Sequence, residues 1–321
     1  EIRFRNAIEP GKVLPNGQIA DCSTALKETL LAVKDVYEAH PGRAGIACAL
    51  KNAGVGVGLP DKGRARAEVL DGKLRVYTAA SDIGQGCRTV FTQILQSETG
   101  LPIEKLSISR GSTEDSPDSG TTSGSRQTLI TGEAVRGLAA EVKKDLDAAG
   151  GKLEELNGKE YFYEFFDPTD KLGADLPNPK SHVAYAFATN VAILDDEGRV
   201  TDVYAAHDSG KVVNPVSIQG QIEGGVLMGM GYALTEDFPL KDCVPTAKLG
   251  TLGLLRANQI PNIHAIYVEK DTLLPFARGA KGIGEIASIP IAPAIANAYY
   301  AFDHEFRTKL PLEGTFYRKK K

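Results

Sequence analysis

The six residues Ala205-Ala206-His207-Asp208-Ser209-Gly210 follow a strand-like apolar run and precede a segment with helical spacing that starts near Asn214-Pro215. The same pattern, Ala-Ala-x-Asp-x-Gly, occurs earlier in the chain as Ala79-Ala80-Ser81-Asp82-Ile83-Gly84, again between a predicted strand and a predicted helix. A repeat so widely spaced indicates two similar units, because the repeats of a solenoid are only about 20–50 residues long. The chain is therefore predicted to contain two related strand-turn-helix units.

The segments that flank the two turns support this organisation. The β-rich runs Ala65–Leu70 and Lys73–Thr78 are joined by Asp71-Gly72, a favoured two-residue hairpin turn. Further strands are predicted at 44–50, 183–194 and 200–205, and helices at 26–37, from Val90 onward, at 131–149 and from Ile286. We predict an α+β fold of two similar α/β units with mixed sheets and packed helices. A charged, proline-bearing stretch at 166–180 predicts a boundary that divides the chain into residues 1–170 and 171–321.

Length and composition exclude several classes of protein. The 321 residues, 42% hydrophobic and 24% charged, are enough for about two domains with cores, which excludes intrinsic disorder. A net charge of −4 argues against a nucleic-acid partner. The longest charge-free stretch, Ile286–Phe302, is shorter than the roughly 20 residues of a membrane span and contains two prolines. No membrane partner is expected.

Cysteine usage indicates a reducing compartment. The four cysteines are scattered without a CxxC pair, so no zinc or iron–sulfur motif is present in the sequence. Because no charged-then-apolar leader precedes Glu1, a cytoplasmic location is expected. Glycine is the unusual component. With 34 glycines, the chain is either rich in turns or lets its backbone approach something closely at several places.

Two glycine-rich segments are candidates for nucleotide-binding loops. Gly54–Gly58 leads into a strand instead of a helix, so we reject a Rossmann dinucleotide loop there and predict a tight turn or a strand edge. Asp82-Ile83-Gly84-Gln85-Gly86 stands at a strand-to-helix junction. Such a junction is either a simple helix cap or a site for an anionic ligand, because free amides and the positive helix end face it.

Three further segments each have two interpretations, one functional and one purely structural. Ser116–Arg126 is either a flexible linker or a hydroxyl-rich phosphate cradle. The glycines that begin at Gly220-Gln221 weaken an otherwise helical run, so they indicate tight packing against backbone or against a ring system. Glu285 follows Lys281-Gly282-Ile283-Gly284 and either complements a helix dipole or serves as a general base.

Taken together, these segments resemble the molybdenum hydroxylases, the family of xanthine dehydrogenase and aldehyde oxidase, over the C-terminal half of the molybdopterin-binding subunit. The resemblance implies that the two units bind molybdopterin and that Glu285 is the catalytic base. It also implies that the metal has no protein ligand. Molybdenum would be held by the pterin dithiolene, with the backbone of Gly124 nearby. The residues implied to bind the cofactor are Gly84, Gln85, Gly86, Ser123, Gly124, Ser125, Arg126, Gln221, Lys281 and Gly282.

The resemblance also implies a divided enzyme. The family's N-terminal half, its [2Fe–2S] cysteines and its FAD domain have no counterpart here. The chain is thus similar to the medium molybdopterin subunit of nicotinate dehydrogenase. Its expected partners are a large molybdopterin subunit that shares a molybdopterin cytosine dinucleotide, an iron–sulfur subunit and an FAD subunit. The expected reaction inserts water-derived oxygen into an N-heteroaromatic substrate, nicotinate to 6-hydroxynicotinate, with a sulfido or selenido ligand on molybdenum and electrons passed to NADP+. The alternatives are a divided xanthine or purine dehydrogenase and a non-catalytic scaffold.

Overall fold

The computed structural model describes residues 1–319. Helices are interspersed with groups of strands along the chain, and both four-stranded sheets combine parallel and antiparallel pairs, as expected for an α+β protein. In chain order the elements are α1 (Ile2–Arg5), α2 (Leu26–Glu38), β1 (Ala44–Ala53), β2 (Lys62–Leu70), β3 (Lys73–Tyr77), α3 (Cys87–Thr99), β4 (Leu106–Ile108), α4 (Gly132–Ala148), β5 (Glu160–Phe166), β6 (Ala184–Leu194), β7 (Val200–Asp208), α5 (Pro215–Leu234), β8 (Leu240–Lys241), β9 (Val244–Pro245), β10 (Asn262–Val268) and α6 (Ile291–Asp303).

The first four-stranded sheet has the order β4-β3-β2-β5. Strands β2 and β3 form the predicted hairpin, in which Leu70 pairs with Lys73. Asp71 and Gly72 between them both have positive φ, the conformation that suits a two-residue hairpin turn. Helix α3 then carries the chain to β4, which pairs parallel to β3, while β5 pairs antiparallel to β2. The hairpin prediction is confirmed.

The second four-stranded sheet repeats this plan in the order β10-β7-β6-β1. Strands β6 and β7 form an antiparallel pair, α5 leads to β10 parallel to β7, and β1 pairs antiparallel to β6. The two sheets therefore have the same order and the same strand directions, which confirms two similar units. The antiparallel outer strands of the two sheets occupy different places in the chain. Strand β5 follows the other strands of the first sheet, whereas β1 precedes the other strands of the second sheet. The predicted boundary at residue 170 falls between β5 and β6, and residues 44–53 join the second sheet from the other side of it.

Burial explains why the strands differ in composition. Along β2 every second residue is buried, because α3 and α4 cover one face of the first sheet. Strand β6 is buried at all of its positions. One of its faces packs with α5 and α6, and the other packs with α2. A strand covered on both faces accepts apolar residues throughout, which is the pattern of residues 184–194.

One predicted helix starts later than expected. The apolar segment from Ile286 forms a short 3-10 turn at Ile286–Ser288, and α6 begins only at Ile291. Pro290 has no N–H to donate to the carbonyl of Ile286, so a continuous α-helical ladder cannot run through it. The start predicted at Ile286 is therefore wrong. No helix within residues 1–319 combines the length and apolarity needed to cross a membrane.

Candidate functional site

The two repeated turns meet at one open cavity of about 230 Å³. Ile83 of the first turn and Ser209 of the second both line it, as do residues from two further loops. The predicted site residues that line this cavity are Gln85, Ser123, Ser125, Arg126, Gln221, Lys281, Gly282 and Glu285. Gly84, Gly86 and Gly124 belong to the same turns but are not part of the lining. The cavity therefore brings together segments that are up to 200 residues apart in the sequence.

Two helix N-termini converge on this cavity. Helix α3 begins directly after Gly86, and α5 begins after Asn214, whose side chain accepts a hydrogen bond from the amide of Ser217 at 2.9 Å. The amide group of Asn214 also donates to Gln93 of α3 at 3.0 Å, which ties the two helices together. Because the first amides of a helix are unpaired and its N-terminus is partly positive, two such ends favour an anionic group between them.

The first turn is ordered by hydrogen bonds within it. The amides of Gly84 and Gly86 donate to Asp82. Burial opposes the charged form of Asp82, but these amides and Arg88 outweigh it and hold the pKa of that carboxyl below its usual value. The Gln85 side chain accepts from the amide of Ile83 at 2.6 Å and donates to the carbonyl of Ser81 at 2.9 Å. Gln85 thus reaches the cavity from a turn that its own side chain stabilises.

Gln221 lies on the other side of the cavity, on the second turn of α5. No group within residues 1–319 forms a hydrogen bond with its side-chain amide. This amide is therefore available to donate to and accept from a ligand, whereas the orientation of the Gln85 amide is already fixed by two bonds inside its turn.

The loop between β4 and α4 is built around a buried arginine. Arg126 is 1% exposed. It pairs with Asp61 at 2.7 Å and donates to backbone carbonyls of Lys62, Ser119 and Thr121 at 2.7 to 3.1 Å. With four bonds inside the protein, its guanidinium shapes the loop. Residues 116–126 are therefore not a flexible linker, and the loop places the backbone and hydroxyls of residues 122–125 at the cavity.

The glycine cluster at residues 54–58, which does not form a nucleotide-binding loop of the Rossmann type, instead supports the loop at residues 116–126. Residues 54–61 form the predicted tight turn between β1 and β2, and Gly54, Gly56 and Gly58 all have positive φ. The amide of Gly54 donates to the carbonyl of Gly124 at 3.0 Å. The glycine cluster thus braces the loop that carries Ser125.

Glu285 is held directly against that loop. The hydroxyl of Ser125 donates to Oε2 of Glu285, and the backbone amide of Glu285 donates to Oγ of Ser125 at 3.2 Å. A Cβ at Gly282 would overlap the carbonyl oxygen of Ser125, so only glycine allows the two loops to approach this closely. The Glu285 side chain remains 40% exposed. A carboxylate that is fixed in place and still accessible can accept a proton from a bound reactant.

A buried ion pair anchors the loop that carries Glu285. Lys281 Nζ lies 2.7 Å from Asp208 Oδ2 and donates to the backbone carbonyl of Ser23 at 3.1 Å. Burial raises the pKa of the Asp208 carboxyl, and the ammonium of Lys281 partly offsets this. The ammonium of Lys281 is thus committed to the end of β7 and to the N-terminal segment, and the backbone of Lys281 lines the cavity.

Two cavity residues have unsatisfied polar atoms. Oγ of Ser209 and Oε1 of Gln127 are buried, and neither has a hydrogen-bond partner in the described part of the chain. Buried polar atoms are nearly always hydrogen-bonded, so these atoms indicate a polar ligand in the cavity. Among residues 1–319 no cluster of three or more His, Cys, Asp or Glu side chains is arranged to hold a metal ion. A metal carried by its own organic ligand fits these residues.

Three nearby residues were not predicted from the sequence. Lys51 Nζ, on β1, lies 3.9 Å from Oε2 of Glu285. Its approach depends on the pairing of β1 with β6, which no local spacing indicates. Gln127 lies in a short π-helical turn, and its side-chain amide donates to Oγ1 of Thr122 at 2.7 Å. Ser217, in contrast, could have been found, because it stands three residues after the capping Asn214.

The chain matches the model of the molybdopterin cofactor-binding domain family over residues 32–171 and 154–261. It is 29% identical to an aldehyde oxidoreductase of Megalodesulfovibrio gigas over 93% of this chain and 36% of that protein. It is 27% identical to one subunit of a probable xanthine dehydrogenase of Bacillus subtilis over 84% of this chain and 40% of that protein. The solved structure of aldehyde oxidoreductase from Desulfovibrio gigas superposes with a TM-score of 0.79 at 26% identity, over 96% of this chain and 37% of that one.

These matches define the class of the protein. The chain belongs to the molybdopterin cofactor-binding domain family, within the molybdenum hydroxylases that include xanthine, aldehyde and CO dehydrogenases. Both the family and the fold class expected from the sequence are confirmed. The chain spans little more than a third of the length of these relatives.

Proposed function

We propose that this chain holds one side of a molybdopterin cytosine dinucleotide and supplies Glu285 as the base of a multi-subunit hydroxylase. The observation that carries the proposal is the cavity in which Glu285, Ser125 and Gln221 meet two helix N-termini. Its unpartnered polar atoms on Ser209 and Gln127 fit a polar ligand of this kind. When bound, the cofactor supplies the two-electron redox chemistry of hydroxylation.

Residues of this chain provide cofactor binding, proton acceptance and the positioning of the two loops. The N-termini of α3 and α5 suit the diphosphate of the dinucleotide, because the partial positive charge at each helix end complements its negative charge. The free amide of Gln221 suits the hydrogen-bonding edge of a pterin ring. Ser125 fixes Oε2 of Glu285, which leaves the exposed part of this carboxylate to accept a proton when water-derived oxygen is transferred to the substrate. Arg126 and Lys281 act as positioning residues for the two loops.

For the substrate we propose an N-heteroaromatic ring, nicotinate first, with oxidation to 6-hydroxynicotinate and electrons passed to NADP+ through [2Fe–2S] and FAD partner subunits and the large molybdopterin subunit. The ammonium of Lys51 beside Glu285 supports a carboxylate-bearing ring, since it places a cation next to the proposed base. The runner-up is a xanthine or purine dehydrogenase, which the name of the Bacillus subtilis relative favours. Turnover of nicotinate, nicotinamide and xanthine by the purified complex, with NADP+ and NAD+, distinguishes these substrates.

The test of the catalytic assignment is Glu285→Gln in the assembled complex. Loss of a general base costs about 10²–10⁴-fold in rate, so kcat is expected to fall at least a hundredfold while the molybdenum content stays unchanged. Glu223→Gln is the matched control, because Glu223 interacts with Gln219 on the surface of α5 and does not line the cavity. Turnover within about tenfold of the wild-type rate would show that Glu285 is not the base and would leave the scaffold alternative.

A further inference from the structure

Helix α5 contains five glycines, and the structure explains only those on its inner side. A Cβ at Gly225 would overlap Ala287, and one at Gly229 would overlap Ile291 and Ser288, so these glycines let α5 pack closely on the turn before α6. At Gly220 and Gly224, no atom of the described chain lies within 4 Å of the position that a Cβ would take. Each glycine destabilises a helix by about 1 kcal/mol relative to alanine. The fold of this chain gives no reason for either of these two.

Gly220 and Gly224 form the centre of an exposed apolar stripe. Val216, Met228 and Tyr232 continue the same four-residue spacing and are 82%, 67% and 60% exposed. Residues four apart lie on one face of a helix, so these five residues, which we call the outer face of α5, form a single surface without charge. A helix that is apolar all round is normally buried, and exposed apolar patches mark interaction sites.

The apolar surface extends beyond the end of α5. The segment after the helix returns to its C-terminal end, where a Cβ at Gly253 would overlap the carbonyl oxygen of Thr235, the residue that follows α5. This segment carries further large exposed apolar side chains: Phe238, Leu240, Val244, Leu249 and Leu254. Exposed apolar side chains therefore continue from α5 into the segment that follows it.

We propose that the outer face of α5 binds the large molybdopterin-binding chain, and that the two exposed glycines let the backbone of that chain approach the helix. This inference rests on the proposed function, which names that chain as a partner. Relatives of this protein carry nearly two thirds of their length in regions that it does not match. That additional polypeptide is the occupant to which the inference commits.

The position of the face beside the cavity supports this occupant. Ser217 and Gln221 of α5 line the cavity, and they directly follow Val216 and Gly220 of the outer face. A polypeptide packed along Val216 and Gly220 therefore also lies next to the cavity. Such a partner would complete the cofactor site, whereas a partner bound at a distant surface would leave the site open to solvent.

The test replaces Gly220 and Gly224 by leucine in a tagged chain that is co-expressed with the large chain. Leucine is a strong helix former, and no neighbouring atom lies within 4 Å of the Cβ position at either site, so the soluble yield and thermal melting of the tagged chain should be at least as high as for the wild type. Co-purification of the large chain should fall at least tenfold. Gly229→Ala is the control with the opposite expectation, because its Cβ would overlap Ile291 and lower the melting temperature.

Photo-crosslinking in the wild-type complex gives a second readout. A crosslinking residue at Val216 or Tyr232 should form adducts with the large chain, identified by mass spectrometry, and one at Lys143 on the surface of α4 should not. Normal assembly of the double leucine variant, or adducts only with a second copy of this chain, would overturn the proposal. If the leucine variant assembles normally while Glu285→Gln is inactive, the interface is wrong and the proposed function stands; the reverse result refutes only the function.

Discussion

Replacing Lys281 by methionine tests whether the buried ion pair holds the Glu285 loop in place. The side chains of Lys281 and Asp208 are 0% and 2% exposed and lie 2.7 Å apart. Methionine is similar in length but leaves the carboxylate of Asp208 buried without its cation. Removal of one partner of a buried pair costs about 3–5 kcal/mol, so the free energy of unfolding should fall by that amount.

A double substitution separates the charge effect from packing. Lys281→Met with Asp208→Asn removes both charges, while the oxygen of the new amide can still accept the hydrogen bond from Gly210. Most of the lost stability should return, because replacing a buried pair by neutral groups is often close to neutral. Lys211→Met is the control. Its ion pair with Glu269 is exposed, and its loss should change stability by less than about 1 kcal/mol.

The cost of Lys281→Met should also depend on pH. Burial already raises the pKa of Asp208, and without the ammonium of Lys281 it rises further. Between the unfolded pKa and this raised value the folded state binds more protons than the unfolded state, so stability falls as pH rises. The free energy of unfolding that Lys281→Met loses relative to the wild type should therefore be smaller near pH 5 than near pH 8.

Urea unfolding followed by circular dichroism is the suitable assay, because the chain has no tryptophan to serve as a fluorescent probe. A single-variant cost below about 1 kcal/mol would refute the role given to the pair. A double variant that loses the sum of both single costs would refute it equally, because the two side chains would then contribute independently.

Two further predictions concern buried positions near the cavity. Gly282→Ala should destabilise the protein and reduce its cofactor content, because the added Cβ overlaps the carbonyl of Ser125; an alanine variant with unchanged melting temperature and molybdenum content would contradict this. Burial lowers the pKa of His207 to about 4, so stability present above the unfolded pKa of about 6.5 should be lost as pH falls towards 4, by up to about 3 kcal/mol. Urea midpoints measured across this pH range should show that slope, and His207→Phe should lack most of it.

Local sequence signals predicted the elements that depend on neighbouring residues. The Asp71-Gly72 hairpin, the spacing in α3 and α4 and the start of α5 near Asn214-Pro215 all involve residues within a few positions of one another. The repeat was detectable for the same reason, because the Ala-Ala-x-Asp-x-Gly turn lies wholly within six residues. The start of α6 is the exception. The apolar run from Ile286 predicted a helix that starts at that residue, but α6 begins only after Pro290.

Contacts between distant segments could not be predicted in this way. That β1 completes the second sheet instead of the first depends on its pairing with β6 across about 140 residues. A strand of apolar residues fits several sheet edges equally well, and only the helices that cover it decide which edge it joins. Lys51 reaches Glu285 through this pairing, so its position beside the proposed base followed from the same choice.

The sequence by itself therefore determined the two related units, their turns and the motifs that identify the family, because each is written in short runs of residues. Only the tertiary structure decided how those runs act together. It showed that Arg126 and Lys281 use their charges inside the protein, that Ser125 holds Glu285, and that the side-chain amide of Gln221 has no partner among residues 1–319. The physical reason is that a buried charge must find its partners within the fold, and those partners come from Asp61 and Asp208, far away in the chain.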